Sequence, residues 1–512
     1  MGSIRTGSLR WAVVLTGATV LVATAPPAAF AQAPTLFAQE PAPVTQQSTP
    51  PAPEPARSKK LDWETGEGHS YFIPAFEIGA FIGALNAINR TISETNDYDS
   101  DWNSIKKNFT THEVIDHDPF STNQIGHPYQ GSVYYGLARS SGLNYWQSLA
   151  YSLAGSLLWE TVGETTPPSL NDNIASGIAG SFLGEALFRM ASLLLEGGGE
   201  KPGFWRELGA AAISPPLGLN RLVFGDRFDA VFPSRNPEVF IRLRLGATLT
   251  TDIDTGGLVE DTKTYEGSLD YSIIYGLPGK PGYKYTRPFD YFTFDINIVP
   301  DADPISNLIE NAAVRGMLVG TNYELGADYR GIVGLFGIFD YLSPQVFRIS
   351  TTALGLGTVG QWWLTRRIAL QGTLIGSVGF GAAGTVGDKE ERDYHYGITP
   401  EGLLGLRAIF GERLMLDATG RTYFVAGKGA GGGISTSDIG GEIINRVNVG
   451  FTVRVWGPHG IGVQYLLSTR DTSVQGLGDR HQRVETVSLT YNFLGHTRFG
   501  AVEWRPEVLA SR

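Results

Sequence analysis

Residues 239–249 read VFIRLRLGATL. Val239, Ile241, Leu243, Leu245, Ala247 and Leu249 share one parity, and Phe240, Arg242, Arg244 and Thr248 share the other. Strand side chains alternate between two faces, so this stretch presents one apolar face and one that carries arginine. The same alternation returns in GSLDYSIIYG, where Leu269, Tyr271, Ile273 and Tyr275 oppose Asp270, and in YFTFDINIVP, where Phe292, Phe294, Ile296 and Ile298 oppose Thr293, Asp295 and Asn297. NRVNVGFTVRVWG and VETVSLTYNF repeat it near the end of the chain. A soluble sandwich fits alternation alone. Segments of roughly ten or more residues, with charge on one face and none on the other, fit a membrane barrel better. In lipid every backbone donor must be paired, so such strands have to close on themselves.

Counting outward from that stretch predicts about twelve strands, near 239–252, 263–276, 289–300, 311–326, 328–342, 345–364, 368–386, 393–411, 413–427, 441–456, 461–472 and 482–495. The expected fold class is α+β, an N-terminal α-helical domain followed by a transmembrane antiparallel β-barrel. The inward set is Arg242, Arg244, Asp270, Asp295, Asp417, Arg421, Arg446 and Arg454. Mixed signs at that density favour a salt-bridged, mostly blocked lumen over a wide pore. Tyr265, Tyr291, Trp362, Trp363, Tyr423, Trp456 and Phe493 fall near segment ends, where an interfacial girdle is expected.

The other end of the chain defines the compartment. Arg5 and Arg10 precede the apolar run WAVVLTGATVLVATA, and small residues at Ala29 and Ala31 follow, so residues 1–31 read as a secretory signal. Residues 32–60, rich in Pro, Ala and Gln, read as an extended linker. The chain has no cysteine, which removes thiol catalysis and thiolate metal sites. A net charge of −11 with no basic stripe argues against a nucleic-acid partner. The expected division is therefore signal 1–31, linker 32–60, helical membrane-associated domain 61–235, barrel 236–496 and tail 497–512.

Within the helical domain, small residues recur every fourth position. Gly79, Gly83 and Ala87 form one such row, Ser148, Ser152 and Ser156 a second that runs on to Glu160 and Glu164, and Ser176, Gly180 and Gly184 a third. That spacing lets helices approach closely. His127 with Ser152 or Ser156 and Glu160 has the parts of a serine hydrolase. No strand-turn-helix elbow and no G-x-S-x-G surrounds these serines. The favoured reading makes His127, Arg139, Glu160, Glu164 and Glu185 polar locks between helices, because a buried charge needs a partner. Upstream, His112, Glu113, Asp116, His117 and Asp118 are candidate metal ligands, but H-E-x-x-x-H puts its histidines on different helical faces, and Pro119 points to a loop.

The motifs DHDPFSTNQIGHPYQGSVYYGLARSSG, SLLWETVGE and GSFLGEALFRM, placed ahead of a barrel, resemble a bacterial outer-membrane family classified as a domain of unknown function. The resemblance covers roughly residues 70–230 by motif and the rest by architecture. It implies no catalytic residue. The chain is also similar to outer-membrane barrels of predatory bacteria that carry a helical domain and assemble as rings around trapped lipid. That implies a homo-oligomer whose partners are outer-membrane lipids and itself, with the helical domain on the periplasmic side and no cofactor. The leading expectation is thus a structural, non-enzymatic protein that encloses or organises lipid. A hydrolase of lipid or lipopolysaccharide and a narrow polar channel are the alternatives.

Overall fold

The computed structural model describes residues 60–510, apart from 94, 117, 200, 257–264, 301–307, 387–390, 430–438 and 475–477. The signal, the linker before Lys60, and His117 therefore lie outside the described residues. Twelve antiparallel strands close into one barrel: β1 Val239–Asp254, β2 Tyr265–Tyr275, β3 Phe292–Ile298, β4 Ile309–Leu325, β5 Tyr329–Leu342, β6 Phe347–Trp363, β7 Ile368–Thr385, β8 Tyr394–Phe410, β9 Leu414–Gly429, β10 Ile439–Trp456, β11 His459–Val474 and β12 Gly478–Leu494. Each strand pairs with its sequence neighbour, and β1 pairs with β12 from Arg242↔Leu494 to Asp254↔Arg483. Closure removes the free edges that lipid could not satisfy.

The register puts the arginines of β1 inside and its leucines outside. Exposed Leu354, Leu374, Ile398, Leu404, Phe451, Val463 and Leu489 form the outer belt around β6–β12. One end of the barrel has tight turns after β4, β6, β8 and β10; Gly326, Gly411 and Gly457 make three of them with φ of +67°, +61° and +50°, where a side chain would be strained. The opposite end carries most of the longer connections.

The helical domain consists of α1 Phe72–Ile92, α2 Trp102–Asn108, α3 His127–Ser140, α4 Tyr145–Leu158, α5 Gly180–Glu196, α6 Phe204–Ile213 and α7 Pro215–Phe224. Asn144 caps α4 by accepting from the Gln147 N–H, and Asp101 caps α2 in the same way. The domain packs beside the barrel and does not plug it. Phe120, Tyr135, Tyr145, Phe182, Ala186 and Met190 share one core with the outward residues Ile273, Phe292, Phe294, Val314, Phe339, Tyr341, Tyr394 and Tyr396. This contact covers β3, which at seven residues is the shortest strand. Apolar surface that lipid would otherwise meet is buried there against helices.

Two expectations change with the register. Trp363 and Tyr423 point into the barrel and are buried, as is Tyr291, so they are not girdle residues; Tyr265, Trp362 and Trp456 are the exposed aromatics of that group. Adjacent Trp362 and Trp363 must face opposite ways because the strand period is two. Within the expected tail, residues 497–504 pack into the barrel. Phe499, Ala501, Val502 and Trp504 are buried in the tight-turn mouth against inward Phe240, Trp363, Ala369, Ile409, Met415 and Leu494.

Candidate functional site

Three π-helical turns, Thr122–Gly126, Trp159–Gly163 and Asn173–Ala179, contribute to one polar cluster where the helical domain meets β8. Such turns are rare and often mark functional positions. His127, the first residue of α3, is buried; its Nδ1 lies 3.2 Å from Ser176 Oγ and its Nε2 3.7 Å from Asp172 Oδ1. Asn171 Nδ2 donates to Asp172 Oδ1 at 2.8 Å and to Tyr396 OH at 3.0 Å. Asn123 Nδ2 donates to Asp116 Oδ1 at 2.6 Å and to the hydroxyls of Tyr394 and Tyr396 at 3.2 Å. The two tyrosines stand on the outer face of β8, so the cluster bonds the domain to the barrel wall.

The serines of the alternative hydrolase reading do not meet His127. Ser152 Oγ donates to the Gly131 and Ser176 carbonyls, both at 3.1 Å, and Ser156 Oγ donates to Asn173 Oδ1 at 3.0 Å. They clasp α4 to its neighbours. Ser176 and Asp172, which the sequence reading did not single out as partners, are the groups beside His127; the ring nitrogens are used in the opposite sense to a hydrolase triad, and all three side chains are buried. A Ser-x-x-Asp cap was the available signal, since Asp172 N–H donates to Ser169 Oγ. Glu160 accepts from the Ser169 N–H at 2.8 Å, and Glu164 accepts from Trp159 Nε1 at 2.8 Å and from Thr166. Neither carboxylate pairs with an arginine among the described residues. Glu185 does: Arg139 Nε and Arg189 Nε donate to it at 2.9 and 2.7 Å. His112 is exposed and Asp116 is occupied by Asn123; among the described residues no three His, Asp or Glu side chains are arranged to hold a metal ion.

The lumen is the second polar region. A cavity of about 190 Å³ is lined by Arg242, Arg244, Asp270, Asp295, Arg407, Asp417, Arg421 and Arg446, among others. Arg242 pairs with Asp417 at 3.0 Å, Arg244 with Asp270 at 2.8 Å and Arg446 with Glu310 at 2.9 Å. Arg315 pairs with Asp340, and Arg421 reaches the same carboxylate at 3.9 Å. Arg407 and Arg315 were missed by the sequence reading, although both sit at inward parity. Arg454 shares the inward parity of Arg446 but sits at the tight-turn rim, donating to the carbonyls of Glu412 and Gly457 and stacking over Phe499 at 5.0 Å. At the other end Leu342, Val346, Phe347, Ile349, Tyr423, Val425, Ile444 and Val484 form an apolar seal.

The C-terminal segment closes the tight-turn end through specific bonds. Gln361 Nε2 and Trp363 Nε1 both donate to the Val502 carbonyl at 2.8 Å, and Gln371 Nε2 donates to the Gly500 carbonyl at 2.8 Å. Burial alone would raise the Glu503 carboxyl; the hydrogen bonds and charge of Arg505, with Arg498, outweigh it and hold the group below the usual range. A depressed carboxylate stabilises the closed segment above its unfolded value and loses that contribution as pH falls through its folded value. Protease release of residues 497–512 should therefore rise as pH drops below about 4, and Glu503→Gln should flatten that response.

The family model described as Domain of unknown function (DUF3943) matches residues 112–216, the part of the chain that builds the polar cluster. No curated protein matches. Among solved structures, the chain is similar to the outer membrane channel DcaP of Acinetobacter baumannii at 10% identity, covering 50% of this chain and 96% of that one with a TM-score of 0.23. It is similar to the COG4313 outer membrane channel from Pseudomonas putida F1 at 11% identity, covering 50% and 94% with a TM-score of 0.26. The NanC porin matches at 7% identity over 49% and 98%, with a TM-score of 0.25.

Proposed function

We propose that this outer-membrane barrel is a structural protein that self-associates through its helical flank and organises lipid between its copies. The observation that carries the reading is the outer face of α1. Gly79 and Gly83 have no atom within 4 Å of where a Cβ would stand. In α3, α4 and α5 the glycines at 131, 136, 155, 180 and 184 would each press a Cβ to 3.0 Å or less from a neighbour. The small-residue row of α1 is thus open while the other rows are used. Phe72 and Phe76 on the same face are 88% and 78% exposed. At 21 residues the helix is about 31 Å long, close to the hydrocarbon thickness. Such a face in lipid favours a second helix with the same small-residue row.

Exposed apolar residues elsewhere on the domain add surface for lipid. Phe204 and Trp205 at the start of α6 are 70% and 79% exposed, and Leu222 of α7 is 84% exposed. With the tight turns on the periplasmic side, as in other barrels, these residues lie near that leaflet.

The test is the mass of the protein from outer membranes in mild detergent, together with its bound lipid. A discrete multiple of the 55.3 kDa chain, less any cleaved leader, with lipid retained is the expected result. Gly83→Leu should reduce that multiple to a monomer and leave the unfolding temperature of the barrel unchanged, since nothing in the subunit opposes the new side chain. A lipid-free monomer from the unaltered protein would overturn the reading.

A further inference from the structure

The closed lumen has no part in self-association, and its charge pairing is incomplete. Asp417 serves Arg242 at 3.0 Å and Arg407 at only 4.0 Å, beyond a hydrogen bond. Arg407 Nε and Nη1 are buried without a hydrogen-bond partner among the described residues, and so is Arg242 Nε. The face of Arg407 lies over the Phe240 ring at 5.0 Å, which leaves the edge of its fork toward the cavity it lines. A guanidinium withdrawn from water with donors unfilled is costly, and its planar fork matches a carboxylate bidentately. Asp295 lines the same cavity without an ion pair among the described residues, which opposes a multiply charged anion beside it. Glu401, six residues along β8 toward the other end, is held by Thr351 and Ser377 and does not relieve Arg407.

We infer that the lumen cavity is a binding site for a small, singly charged carboxylate, with Arg407 and Arg242 as its ligands. Entry is through the tight-turn end, on release of the C-terminal segment that closes it. Gln361 and Gln371 line the cavity and also hold the C-terminal segment, while Phe240 lies between Arg407 and that segment, 3.2 Å or less from where a Cβ on Gly500 would stand. The other end is shut by the apolar seal around Phe347 and Tyr423. The site is therefore a chamber with one door, and it needs no through-passage.

The experiment uses the full-length protein in detergent micelles and ¹³C-labelled acetate, with chloride at matched ionic strength as the competitor. Acetate should show saturable line broadening that chloride at equal concentration does not abolish. Arg407→Gln should weaken binding at least about tenfold, the loss expected for a charge-assisted hydrogen bond. Because Arg407→Gln can disturb the fold, Gly405→Val provides a second test. Gly405 lines the cavity with only Thr373 close to its absent Cβ, at 3.4 Å, so valine there fills space without removing a charge. It should abolish acetate binding in a protein with an unchanged heat-shifted gel band. Truncation after residue 496 should speed exchange of bound acetate. No saturable binding by the unaltered protein, or equal binding by Arg407→Gln and Gly405→Val, would overturn the inference.

Discussion

Gly131→Ala is expected to disrupt the helical domain while leaving the barrel folded. A Cβ at position 131 would stand 1.7 Å from the Ser176 carbonyl oxygen and 2.5 Å from its carbon. Gly180 faces it in return, with its own Cβ position 2.6 Å from the Gly131 Cα. The opposing atoms are backbone, so no rotamer change relieves the clash, and α3 and α5 must separate. Overpacking typically costs about 1–3 kcal/mol and occasionally more, and this geometry puts the cost above about 3 kcal/mol. Separation would also break the Ser152 bonds to the Gly131 and Ser176 carbonyls, which hold α4 in the same place. The barrel strands have their own ladder on every side and should persist. The heat-shifted gel band should stay, while limited proteolysis should cut within residues 120–200. A variant with native protease resistance would show that α3 and α5 do not depend on this approach. Gly79→Ala is the control, since its position is open.

That contrast also marks what the sequence could disclose. The four-residue spacing of Gly79 and Gly83 reads the same as that of Gly180 and Gly184, yet one pair is open and the other is pressed against Tyr135 and the α3 backbone. Spacing reports the capacity for close approach, not the partner. The barrel was legible because lipid outside and charge inside impose opposite chemistry on successive residues, as in Val239 to Leu249. β3 was read as longer than it is: Phe289, at a φ of +64°, turns the chain back over Gly316, so Asp290 and Tyr291 belong to the preceding connection. The C-terminal closure was hidden because its bonds reach residues about 130–140 positions away and its own sequence has no period. The π-helical turns were hidden because shifting a hydrogen bond by one residue leaves no compositional mark. The polar cluster was half visible: His127 and Glu160 stood out as chemistry, but Ser176, Asn171 and Tyr396 become its members only through packing.

Glu185→Ala should produce the largest loss of any single charge removal in the helical domain. Glu185 is fully buried and accepts from Tyr135 OH at 2.7 Å, Arg139 Nε at 2.9 Å and Arg189 Nε at 2.7 Å. Without it two buried guanidinium groups, 4% and 2% exposed, face one another with no carboxylate between them. Removing one partner of a buried pair costs about 3–5 kcal/mol, since the remaining charge stays out of water. Here Arg189 keeps Asp290 at 3.1 Å, while Arg139 is left with no ion-pair partner among the described residues. Arg139 also stacks among Trp63, Phe188 and Phe232 at 5.2, 4.7 and 4.6 Å, so Trp63 fluorescence reports its displacement. The effect should reach the barrel. Arg189 donates onward to Asp290 at 3.1 Å and to the Pro288 carbonyl at 2.6 Å, in the connection between β2 and β3. That network therefore ties α5 to the barrel at the tight-turn end, as Asn171 and Tyr396 tie it on β8. Denaturant unfolding followed at Trp63 should shift by the stated amount in Glu185→Ala. The triple change Glu185→Leu, Arg139→Met, Arg189→Met should recover much of it, because the one charge that loses a partner, Asp290, is still paired with Arg287 at 3.2 Å. If the single change left the Trp63 transition in place, the network would be ornamental to the docking of the helices. If the triple change were as unstable as the single one, the bonds to Asp290 and Pro288, and not charge balance around Glu185, would hold the two halves of the protein together.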